Sequence, residues 1–206
     1  AFLSLILLNI ALYALMFICY AQGIAIFDIG IVANLLVSQM ILISPAFLFA
    51  LASRKKTETG RMNEMLGFHK IKISSFLMVL LFTFLIMPMS TALNAISMLF
   101  VDNTVNAISG DVLQMPFPIM LFMIGIFGPF CEEFVFRGII FRGYKNSGSV
   151  FWSVFWSALL FGLMHLNFNQ AAYAVALGIM FALLVEATGS LWSSVIAHMV
   201  FNSWQV

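Results

Sequence analysis

The chain has 206 residues, of which 63% are hydrophobic and 8% charged, with a mean hydropathy of +1.09. A soluble domain of this length lacks the interior to hide so much apolar surface, whereas a membrane span takes about 20 consecutive apolar residues. Composition therefore excludes an ordinary soluble enzyme, and a formal net charge of +1 from scattered basic residues excludes a nucleic-acid groove.

Apolar segments separated by polar punctuation predict an all-α, polytopic transmembrane helix bundle with seven spans. They fall near 1–22, 29–51, 73–100, 117–141, 150–166, 170–187 and 190–206. The opening run Ala1–Ala21 has no initiating Met and no basic flank, so it reads as a span rather than a secretory leader. The end at Trp204-Gln205-Val206 has no polar tail. The expectation is a single integral membrane domain over 1–206, cut at both ends, with a motif-bearing core at 117–206. Cys19 and Cys131 lie in apolar segments and are expected as packed thiols, not a disulfide.

The connection Ser53–Lys72 carries Arg54, Lys55, Lys56, Arg61, Lys70 and Lys72. Val101–Met115 carries Asp102 and Asp111 but no Lys or Arg, and the next connection has Arg142 and Lys145. The positive-inside rule makes the first and third cytoplasmic, so the fourth span runs inward. His69, beside the amphipathic stretch Met62–Ile71, is expected to be solvated. Pro88 predicts a kink in the third segment, and Pro116, Pro118 and Pro129 mark the fourth. Pro129 stands one turn before a pair of glutamates, where it loosens the helical ladder. The many Phe and Met side chains are expected to be packing.

Charge inside the fourth segment is concentrated in Cys131-Glu132-Glu133-Phe134-Val135-Phe136-Arg137. Intramembrane ionisable groups are costly and point to function. Glu133 and Arg137, four apart with the carboxylate first, are spaced to pair on a helix. Glu132 is turned about 100° away and has no basic residue three or four positions off. An unpaired carboxylate in a low-dielectric interior is the usual raw material of a general base. The alternative is that both glutamates only bind neighbouring helices.

His165 lies late in the fifth segment, and His198 and Asn202 lie one turn apart in the seventh. At a rise of about 1.5 Å per residue, Glu132, His165 and His198 sit about 15, 22 and 12 Å from the cytoplasmic side. Tilts near 20° cover that spread, so one cavity can hold all three. The types suit hydrolysis: a carboxylate for water, imidazoles to position it or protonate a leaving group, an amide for an oxyanion. They also suit zinc, with His165, His198 and Glu132 as ligands and water in the fourth place, although no HExxH spacing is present. A Gly-x-Ser-x-Gly elbow and a pair of membrane aspartates are missing, and Cys131 is the weakest candidate nucleophile.

Glu132-Glu133-x-x-x-Arg137, Phe161-x-x-x-His165 and His198-x-x-x-Asn202, in that order, resemble the CPBP family of CAAX proteases and bacteriocin-processing proteins, also called the Abi family. Glu186-Ala-Thr-Gly-Ser-Leu-Trp is similar to that family's approach to its final histidine. The resemblance implies a bundle of typically eight spans that hydrolyses a peptide bond. It implies Glu132 and His165 activating water, His198 and Asn202 stabilising the oxyanion, and Glu133 with Arg137 as structural support. The family is described both as metalloproteases and as metal-independent glutamate-type proteases; we expect no cofactor, with zinc as the alternative. Expected partners are the lipid bilayer and a peptide or membrane-protein substrate, prenylated or not, with a bacterial inner membrane as the location. The competing readings are a non-enzymatic immunity or scaffold protein held by the polar cluster and, third, a proton-coupled transporter.

Overall fold

The computed structural model describes residues 27–53, 60–102, 110, 115–146 and 148–206. The first expected span, Cys19, Arg54, Lys55, Lys56 and Asp111 lie outside these residues. Seven helices follow: α1 (Phe27–Ser53), α2 (Met62–Leu66), α3 (Ile73–Ser97), α4 (Phe117–Asn146), α5 (Val150–Met164), α6 (Phe168–Thr188) and α7 (Leu191–Gln205). No strand occurs among the described residues, so the all-α expectation holds.

Four of these helices are long and apolar enough to cross a membrane: Gly30–Ser53 within α1, then α3, α4 and α6. The expected spans at 150–166 and 190–206 are helices, but each has only 15 residues. At about 22 Å they fall short of a hydrocarbon core about 30 Å thick. A tight reversal ends α5: Leu166 takes a left-handed φ of 51°, and the Asn167 side chain accepts the Asn169 N–H at 3.1 Å to start α6.

Between α6 and α7 the reversal is made by Gly189, whose φ of 70° suits a residue without Cβ, and by Ser190, whose hydroxyl oxygen accepts the Trp192 N–H at 3.3 Å. The segment after α2 docks on this turn. Leu191 N–H donates to Gly67 O at 2.8 Å, and the Ser190 hydroxyl donates to His69 O. Phe68 lies against Phe130 and Trp192, while the His69 side chain is exposed as expected.

Small residues let α4, α5 and α6 meet closely. A Cβ on Gly178 of α6 would stand 2.9 Å from Ala158 Cα and 3.2 Å from the Arg137 guanidinium. The obstacle on one side is backbone, so the helices must separate. Gly178→Ala is expected to destabilise the protein by about 1–3 kcal/mol. Gly143→Ala, with nothing within 4 Å of the new Cβ, is the neutral control. Thermal melts of both variants in one detergent check this.

Candidate active site

The fourth helix is where the backbone departs from regularity. Pro118 occupies its first turn, and two π-helical stretches, Leu121–Phe127 and Phe134–Phe141, flank the α-helical Gly128–Glu133. Pro129 has no N–H to give, so the ladder cannot run through it unbroken. π-turns often occur at functional sites because they re-aim the side chains around them. Here they bracket both glutamates, and the second contains Arg137.

Glu133 and Arg137 form the expected pair, NH1 to Oε1 at 2.9 Å, with both side chains fully buried. Arg137 NH2 donates to Gly178 O at 2.9 Å, and the guanidinium carbon stands 4.5 Å from the Phe161 ring and 5.4 Å from the Phe181 ring. The cation is thus held by a carboxylate, a carbonyl and two aromatic faces, which together offset much of its desolvation.

Glu133 Oε1 has a second partner, His198 Nδ1, at 2.9 Å. An ionised carboxylate only accepts, so Nδ1 carries the proton, and in the neutral ring Nε2 is left as an acceptor. Nε2 stands 3.8 Å from Glu132 Oε2. That is too long for a direct hydrogen bond and places two acceptors over one small space, an arrangement that favours a donor between them. The ring is stacked on Phe181 with centroids 4.8 Å apart and meets Phe161 edge-on at 5.7 Å. Glu132 keeps 13% of its side chain exposed and Glu133 none.

Asn202 and His165 stand differently. Asn202 Nδ2 donates to Ile124 O of α4 at 3.2 Å, which engages one of its two N–H groups. His165 forms no hydrogen bond or ion pair with Glu132 or His198; its Nδ1 bonds Phe161 O at 2.8 Å, and its ring meets Phe161 edge-on at 5.1 Å. Phe161 therefore touches both histidines. Cys131 is a free thiol with no exposure, as expected of packing. Sequence reasoning missed Gln39 of α1, whose amide faces Gly128, one turn before Glu132. A glutamine inside an otherwise apolar span was the signal available.

No three His, Cys, Asp or Glu side chains among the described residues are grouped closely enough to hold a metal ion. His165, His198 and Glu132 are therefore not grouped as a ligand set in this structure; His165 Nδ1 bonds its own helix, which leaves its Nε2 open.

Residues 114–204, which contain all of α4 to α7 up to Trp204, match the family described as type II CAAX prenyl endopeptidase Rce1-like. Two curated proteins are similar in sequence. YdiL of Bacillus subtilis (strain 168), named as a candidate membrane peptidase, is 32% identical over 47% of this chain and 39% of its own length. MroQ of Staphylococcus aureus (strain USA300), named a membrane-embedded CAAX protease, is 31% identical over 46% of this chain and 41% of its own length. The match thus spans about two fifths of each relative. No solved structure matches the chain.

Proposed function

We propose that this chain is an intramembrane endopeptidase in which Glu132 activates a water beside His198. The observation that carries the reading is the facing of Glu132 Oε2 and His198 Nε2 at 3.8 Å, with His198 oriented through Nδ1 by Glu133. A water between them can donate to both. Glu132 takes one proton from it as the oxygen bonds to the scissile carbonyl carbon. The C–N bond then breaks, and Glu132 passes the proton to the departing nitrogen, leaving an acid and an amine. The second N–H of Asn202 is the donor for the oxyanion, and His198 Nε2 holds the remaining hydrogen of the attacking oxygen. His165 acts with Glu132 on the water once substrate moves it from its contact with Phe161.

The substrate class is a peptide or membrane-protein segment entering within the bilayer, and a prenylated CAAX tail is one form of it. A bacterial inner membrane is the proposed setting, in keeping with the two bacterial relatives. A buried network joining α4, α6 and α7 also favours a scaffold reading, but that reading gives Glu132 no task. Peptidomics of membranes and medium from cells producing wild-type or Glu132→Gln protein separates the two. The protease reading expects a precursor that accumulates, uncut, only with the variant; identical peptide sets contradict it.

In the proposed mechanism Glu132 and His198 activate the water without a metal, and no three ligand-type side chains are grouped among the described residues, so turnover is expected to survive exhaustive chelation unchanged. Loss of turnover on chelation, restored by zinc bound to His165 and His198, would reverse this.

A further inference from the structure

Resting on the protease reading, we infer that Ser203 is a positioning residue. With Asn202 it closes a clamp on Ile124 O and Gly125 O, the two carbonyls that an N–H at position 129 could reach and Pro129 cannot, and so sets the distance between His198 and Glu132.

Residue 129 would donate its N–H to Gly125 O in the α register and to Ile124 O in the π register. Proline has no N–H, and in hydrocarbon an unsatisfied carbonyl costs several kcal/mol. Helix α7 supplies donors to these same two carbonyls. Asn202 Nδ2 reaches Ile124 O at 3.2 Å, and the Ser203 hydroxyl reaches Gly125 O at 3.4 Å. The approach is close: a Cβ on Gly125 would lie 2.6 Å from Ser203 Oγ and 3.3 Å from Ser203 Cα. Glycine is what permits α7 to come so near.

Two successive side chains on α7 thus grip two successive carbonyls on α4. His198 is one turn before the grip on α7, and Glu132 follows Pro129 by three residues on α4. The clamp and the Glu133–His198 bond fix α7 to α4 at two levels, and the pair spaced at 3.8 Å hangs between them. The defect that Pro129 makes in the ladder becomes the register mark for the opposite helix.

The test is a double-mutant cycle on the full chain in lipid nanodiscs, using Ser203→Ala, Pro129→Ala and the pair. Hydrogen exchange of the α4 segment before Glu132 and turnover of the precursor found by peptidomics are read together. Ser203→Ala is expected to speed exchange there about fivefold to tenfold, the worth of one hydrogen bond. It should lower kcat by about tenfold with KM unchanged, since a misplaced base affects the transition state alone. In the Pro129→Ala background, where an N–H is available again, the same substitution should change exchange less than about twofold. Equal effects in both backgrounds, or unchanged exchange in α4, would overturn the clamp. If the wild type cuts nothing, the protease reading fails, while the exchange cycle still decides whether Ser203 and Pro129 are coupled.

Discussion

Arg137→Ala is expected to cost most or all of the stability of the bundle. The side chain has no exposure and three kinds of anchor, on Glu133, on the Gly178 carbonyl and between the Phe161 and Phe181 rings. Removing it leaves Glu133 buried without its cation, with His198 at 2.9 Å and Ser194 still beside it. Breaking a buried pair from one side typically costs about 3–5 kcal/mol, a large share of a net stability of about 5–15 kcal/mol. Glu133→Ala should be comparably severe, because it strands the guanidinium and frees His198. Removing both should cost clearly less than the two single losses added together, since no lone charge remains. Melting curves of the four proteins in one detergent check this, and an Arg137→Ala melting temperature within about 2 °C of wild type would contradict it.

Glu132→Gln is expected to have the opposite profile: a folded protein without turnover. The amide keeps the shape of the carboxyl, Glu132 forms no bond to Arg137, and Glu133 still orients His198. What is lost is the group that accepts the proton of water. General bases contribute typically 10²–10⁴-fold, so the expected loss is about 10³-fold or more. The two substitutions therefore separate neighbouring residues of one type by their chemistry. On the proposed mechanism, position 133 is expected to govern whether the bundle holds and position 132 whether it reacts.

The pairing within this cluster was legible in the sequence. Helical spacing alone pairs Glu133 with Arg137 and turns Glu132 elsewhere, and the helices α1 and α3 to α7 fall where apolar length and polar punctuation put them. Other features are products of three-dimensional packing. Local spacing gave Glu132 no partner, yet His198 faces it from α7, 66 positions later in the chain. Depth arithmetic put His165 in the same layer, but it carries no information about rotation, and the side chain bonds its own backbone. Hydropathy did not separate full spans from the 15-residue α5 and α7, because their ends are set by the turn at Leu166 and the cap at Ser190. Pro129 announced a break in the ladder, but which side chains fill it depends on how α7 lies against α4.

The most direct measurement is turnover of the identified precursor by purified wild-type and Glu132→Gln protein, with melting followed on the same nanodisc samples. Equal melting temperatures are expected, with cleavage by the wild type and none above background by the variant. Cleavage by a folded Glu132→Gln protein at a rate near wild type would contradict the proposed mechanism.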